Sequence, residues 1–139
     1  MPKQTIVIDT NILISALLRF NSVPGLALQK AGFKARLVYS NETLTEIIGV
    51  FNRKKFDKYV SIHEREIFID LFVKAATLID APPLPIPICR DPKDDKYLAL
   101  AVAAQSKFII TGDSDLLILN PFEHISIINP SDFLKIDVL

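Results

Sequence analysis

Five short apolar runs, spaced by stretches long enough to hold helices, constrain this chain more than any other feature of its sequence. The first, Ile6-Val7-Ile8, is β-branched throughout and shows no polar alternation, as expected of a strand buried on both faces. Similar runs recur at residues 36–39, 76–79, 107–111 and 125–128. Parallel neighbours need crossovers of a dozen or more residues, and most of the intervening stretches supply them. Residues 10–18, 23–31 and 42–52 place apolar side chains at helical spacing. Ser61 and Glu64 form a capping-box pattern ahead of residues 62–74, and Asp94 and Asp95 open an alanine-rich helix at 96–106. The expected fold is α/β: a three-layer α/β/α sandwich around a five-stranded parallel sheet, one domain over residues 1–139.

Pro82, Pro83, Pro85 and Pro87 forbid regular structure, so residues 81–90 read as a stiff spacer leading to Asp91-Pro92. The single cysteine, Cys89, excludes an internal disulfide and a multi-cysteine zinc site, and reads as a small buried apolar residue. A reducing cytoplasm suits it. No charged-then-apolar leader opens the sequence, and its apolar runs fall short of the roughly 20 residues of a membrane helix. A soluble, cytoplasmic protein is expected. Basic and acidic residues number 16 each, so net charge says nothing about a nucleic-acid partner. Half the residues are hydrophobic and the mean hydropathy is +0.31, which favours burial of some surface in an oligomer.

Gly25, Gly32, Gly49 and Gly112 are the only glycines, and their positions exclude a Walker phosphate loop and a dinucleotide-binding fingerprint. Neither HExxH nor GxSxG occurs, and His63 and His124 have no evident partner, so both read as surface or structural residues. What remains is acidic: Asp9 after the first strand, Glu46 in the helix after the second, Asp95 opening the alanine-rich helix, and Asp113 with Asp115 after the fourth strand. Taken singly, each could serve as a cap or oppose a helix dipole, stabilising by about 0.3–1 kcal/mol. Taken together they converge, because every strand-to-helix junction of a parallel sheet lies on the same carboxyl edge. Carboxylates about 5 Å apart repel by roughly 3 kcal/mol per pair at an effective dielectric near 20, so such a cluster calls for a cation or a proton. Oxygen ligation without histidine or cysteine points to Mg2+ or Mn2+.

Ile6-Val7-Ile8-Asp9-Thr10-Asn11 resembles the opening motif of the PIN-domain family of ribonucleases. Asp91-Pro92-Lys93-Asp94-Asp95-Lys96-Tyr97-Leu98-Ala99 is similar to the segment holding that family's third acid, and Ile110-Thr111-Gly112-Asp113-Ser114-Asp115-Leu116-Leu117 to the segment holding its fourth. Glu46 matches the intermediate acid less specifically. The resemblance spans nearly the whole chain and is strongest for prokaryotic toxins of toxin–antitoxin pairs.

The resemblance implies a catalytic, metal-binding set of Asp9, Glu46, Asp95 and Asp113, with Asp115 a fifth ligand through water. Asp94 is the alternative register. Leu98, Ala99 and Val102 place the apolar helix face as the family motif does, which favours Asp95. Thr10, Asn11, Thr111 and Ser114 would orient the carboxylates, although turn and cap roles suit them equally. The implied reaction is in-line hydrolysis of an RNA phosphodiester with Mg2+ or Mn2+ as Lewis acid. An antitoxin protein and a homodimer are the implied partners. Arg53, Lys54, Lys55 and Lys58, following Glu46 by roughly two helical turns, are candidate RNA-phosphate contacts or simply a solvated helix end. A signalling receiver lacks support, since Ile128 is followed by Asn129-Pro130 and not by lysine. A haloacid-dehalogenase-type phosphatase would need aspartate at Asn11. The remaining alternative is a PIN fold that binds RNA or protein with little catalysis.

Overall fold

The computed structural model describes residues 3–137. Strand β1 (Thr5–Ile8) is central, flanked by β2 (Arg36–Tyr39) and β4 (Phe108–Ile110), with β3 (Thr77–Leu78) and β5 (Ser126–Ile128) at the edges. All four pairings are parallel. The unbroken apolar character of β1 has a direct cause: Ile6 and Ile8 enter one core while Val7 enters the other. Phe108 and Ile110 divide from Ile109 in the same way, as do Leu37 and Tyr39 from Val38. Side chains of a strand point alternately to opposite faces, so only a sheet covered on both sides makes every position apolar.

On the first face pack α1 (Thr10–Leu18), α2 (Val23–Lys34), α3 (Asn41–Phe51) and α7 (Pro130–Leu134), with Phe72 of α4 (Ile62–Ala75). On the second lie α5 (Asp95–Ala103) and α6 (Ser114–Leu117), joined by Ala81 and Cys89 of the proline-rich connector. The expected three-layer α/β/α architecture is therefore present. In α5, Tyr97, Leu98, Leu100 and Ala101 are at most 1% exposed. Burying a large apolar side chain contributes about 1.5–3 kcal/mol, so this helix is held by packing far more than by propensity. Gly25 allows α2 to start against the end of α1, because a Cβ there would lie 2.0 Å from the Phe20 carbonyl oxygen.

Several local expectations differ from the structure. The strand expected at 76–79 is only Thr77–Leu78, and α2 continues to Lys34. The reciprocal capping box is made by Ser40 and Thr43. At Ser61 the hydroxyl accepts from the Glu64 amide and donates to Glu64 Oε1, so the backbone of Ser61 is not part of the exchange. Helices α6 and α7 were not anticipated, because four and five residues are too few to show a period. The basic cluster does not lie on α3, which stops at Phe51; Arg53 caps a 3-10 turn over Lys54–Phe56.

Arg65, 2% exposed, fastens that turn to the body. Its guanidinium donates to the carbonyls of Phe51 (2.9 Å) and Val60 (2.8 Å) and pairs with Asp57 at 2.6 Å. A buried cation so fully partnered fixes how α3, which bears Glu46, meets α4. Among the described residues no single helix is long and apolar enough to cross a membrane.

Candidate active site

The strand order reverses at β1: the chain builds outward through β2 and β3, then returns to add β4 and β5 on the other side. Such a reversal opens a crevice at the carboxyl ends of the two strands beside it, here β1 and β4. Asp9 stands at the end of β1, its amide donating to the Ile110 carbonyl at 3.0 Å. Its side chain is fixed at both oxygens. Oδ1 accepts from the Asn11 amide, capping α1, and Oδ2 accepts from the Thr111 hydroxyl at 2.7 Å. Thr111 Oγ1 in turn accepts from the Asp113 amide at 3.0 Å, and Asp113 caps α6 by accepting from the Asp115 amide. A single hydrogen-bonded chain thus runs from β1 to α6. Burial pushes the Asp9 carboxyl above its ordinary pKa; the Thr111 and Asn11 hydrogen bonds oppose the shift, and the charges of Glu46 and Asp113 add to it.

The third acid in this crevice is Asp94. Asp94, Asp113 and Asp115 each present an oxygen within 4.8 Å of the others. Burial, then the charge and hydrogen bond of Asp113, push the Asp94 carboxyl up to about 7. Two acids sharing a site cannot both ionise freely, and one holds a proton into the neutral range.

Asp95, favoured from the sequence, is turned elsewhere. Its carboxylate accepts from the backbone amides of Cys89 at 2.7 Å and Ile88 at 3.2 Å. Burial works against its charge, yet these amides hold it below the usual carboxylate range. It borders a separate cavity beneath the connector, with Pro83, Pro87 and Lys96. The reason is backbone satisfaction: the proline-rich connector cannot form a ladder, and Asp95 accepts the amides left over. Cys89, buried and hydrogen-bonded to Asp95, has its thiol pushed up to about 12 and stays protonated.

Glu46 lies beside Asp9 but outside the group formed by Asp94, Asp113 and Asp115. Its carboxylate accepts from the Thr10 hydroxyl at 2.9 Å and from the Tyr97 hydroxyl, and pairs with Lys96 at 3.1 Å. Asp115 is met by Arg90, whose Nε and Nη2 both lie 3.1–3.3 Å from its oxygens. Thr10 and Thr111 are buried and orient Glu46 and Asp9. Asn11 contributes its amide, and Ser114 is an exposed first residue of α6. Arg53, Lys54, Lys55 and Lys58 are exposed.

Arg90, Lys96 and Tyr97 are therefore not assigned from sequence, and Asp94 is named there only as the alternative register to Asp95. One signal existed for Tyr97: a tyrosine on an apolar helix face needs a buried partner for its hydroxyl. The donor set of Asp94, Asp113 and Asp115 is all carboxylate oxygen, with neither histidine nor cysteine, and fits a hard divalent cation.

Residues 5–115 match the family model described as PIN domain. The chain is 30% identical, over 96% of its length and 91% of the relative's, to an uncharacterised protein of Methanocaldococcus jannaschii. Its fold is similar to PAE2754 from Pyrobaculum aerophilum, with a TM-score of 0.63 and 14% identity over 95% of this chain and 88% of the other. It is also similar to a chain of VapBC2 from Rickettsia felis, crystallised bound to a DNA fragment from their promoter: TM-score 0.60, 16% identity, 90% of this chain and 98% of the other. With strand order, strand-end acids and family model in agreement, this chain belongs to the PIN-domain family, whose members are generally nucleases.

Proposed function

We propose that the chain hydrolyses RNA phosphodiester bonds with Mg2+ or Mn2+ at the carboxyl edge of the sheet, as the toxin of a toxin–antitoxin pair. The observation that carries this reading is the meeting of Asp94, Asp113 and Asp115 beside buried Asp9 in a PIN-domain chain. Asp94, Asp113 and Asp115 would hold the ion, with Asp9 and Glu46 adjoining. When bound, the ion would acidify water and offset charge on the phosphate. The chain supplies the orientation. Thr111 and the Asn11 amide hold Asp9 in one pose, and Thr10 and Tyr97 do the same for Glu46. Incubating purified protein with single-stranded RNA should yield cleavage in Mn2+ and none in EDTA. RNA left intact in Mn2+ at micromolar protein would end this reading.

A module that binds RNA or protein with little catalysis is the second reading. It is favoured by Arg90 on Asp115 and Lys96 on Glu46, which already neutralise two acids. RNA retained but uncut in the same experiment would select it.

Arg53, Lys54, Lys55 and Lys58 are proposed to hold the RNA backbone away from the acids. Replacing Arg53, Lys54 and Lys55 together by Ala should weaken binding of all RNA sequences and lower the slope of log affinity against log salt by about 2–3. Mn2+ affinity should stay unchanged. Wild-type affinity and slope in the triple variant would reduce the cluster to a solvated turn.

The partner proposals rest on apolar exposure and on the likeness to VapBC2 from Rickettsia felis. Phe20, Phe33 and Leu71 are 55%, 78% and 61% exposed. Light scattering of the chain alone should give a dimer mass, and a monomer mass independent of concentration across the micromolar range would refute the homodimer. An antitoxin reading frame beside the gene is the corresponding observation for the pair.

A further inference from the structure

The proline-rich connector ends at the acid cluster, and its last residue brings a cation there. Asp95 pins the amides of Ile88 and Cys89, so the backbone of Arg90 is held at the crevice rim. The Arg90 side chain is 85% exposed and meets only Asp115 among the described carboxylates. The backbone is fixed, and the solvent-exposed head is held by one carboxylate. An exposed ion pair is weak, because water and salt screen it and two long side chains lose freedom to form it. A guanidinium also matches phosphate with the same two-pronged geometry it uses on carboxylate.

We infer that Arg90 is an RNA-phosphate-binding residue, paired with Asp115 until a divalent ion engages that carboxylate and then handed to the substrate. This rests on the nuclease reading above and adds to it the residue that grips the phosphodiester at the acid cluster. Asp95 is then a positioning residue: it acts on RNA only through the connector that presents Arg90. The handover couples ion and substrate. Without the ion, Asp115 competes with phosphate for Arg90; with the ion, Asp115 is engaged and the guanidinium is available.

The test uses the full chain bearing Asp9→Asn, to suppress cleavage, and a fluorescein-labelled single-stranded RNA of mixed sequence. Binding is measured in saturating Mn2+ and in EDTA, with and without Arg90→Ala. In Mn2+, Arg90→Ala should weaken RNA binding about tenfold and lower the salt slope by about one. In EDTA the loss should shrink to about three- to fivefold, because the weak pair with Asp115 withholds Arg90 from phosphate only part of the time. Arg90→Lys should restore the slope but only part of the affinity, since an ammonium cannot bind in two-pronged fashion. In the otherwise wild-type chain, calorimetric Mn2+ titration should show about two- to fivefold tighter binding for Arg90→Ala, because a competitor for Asp115 is gone. An equal loss of RNA affinity in Mn2+ and EDTA would overturn the handover, and no loss in either would overturn the phosphate role. If the wild-type chain neither binds nor cleaves RNA in Mn2+, the nuclease reading has failed; normal binding by the Asp9→Asn parent and its Arg90→Ala derivative alike refutes only this inference.

Discussion

Asp9→Asn is expected to reduce Mn2+-dependent RNA cleavage by about a hundredfold, the upper end of what loss of an outer metal-site partner costs. The same substitution should raise the melting temperature in EDTA. Asp9 is 5% exposed and sits beside Glu46 and Asp113, so its charge is unwelcome when no cation is present. Asn removes the charge and keeps an oxygen for the Asn11 amide, while its NH2 can donate to Thr111 Oγ1. The sign follows from the raised pKa. An acid whose folded pKa exceeds its unfolded value of about 3.9 supports folding fully below that value and loses the contribution as pH rises through the folded pKa. The melting advantage of Asp9→Asn should therefore be absent near pH 4 and grow as pH rises above it. Undiminished cleavage by a rigorously purified variant would remove Asp9 from the mechanism.

The second large effect separates two adjacent aspartates. Asp94→Asn should weaken Mn2+ binding at least about tenfold and cleavage with it, because it removes a charge from the group shared with Asp113 and Asp115. Asp95→Asn should leave Mn2+ affinity within about twofold, since that carboxylate faces the amides of Ile88 and Cys89. Its measurable loss should be in thermal stability and in RNA binding. The wild-type chain should also take up Mn2+ poorly below pH 7, where Asp94 holds its proton, and more tightly above it. Asp94→Asn should flatten that dependence. Calorimetric titrations at pH 6 and 8 decide the matter: a full loss with Asp95→Asn and none with Asp94→Asn would reverse the assignment.

The two aspartates also mark where sequence reading stops. They are neighbours in the chain, both are acidic, and both stand at the start of α5. The apolar face of Leu98, Ala99 and Val102 favoured Asp95, but helical phase describes which residues are buried and not which acid points into a crevice. A 3-10 turn over Pro92–Asp94 precedes the helix and sets Asp94 toward Asp113, whereas the connector's spare amides draw Asp95 away. Neither cause is a pattern within α5. Arg90 and Asp115 are 25 residues apart, and Lys96 and Glu46 are 50 apart, so their pairings could not be read as local motifs either.

The sequence by itself determined the architecture: runs such as Ile6-Val7-Ile8 are apolar at every position because both sheet faces are covered, and that demand is written residue by residue. It also determined that acids stand at the ends of β1 and β4, since Asp9 and Asp113 directly follow those strands or their last turn. Only the tertiary structure decided the strand order β3-β2-β1-β4-β5, which puts those two ends side by side, and which carboxylates face inward. The physical reason is range. Burial periodicity is a property of neighbours along the chain, whereas the aim of a polar side chain is set by whichever donors other segments leave unsatisfied.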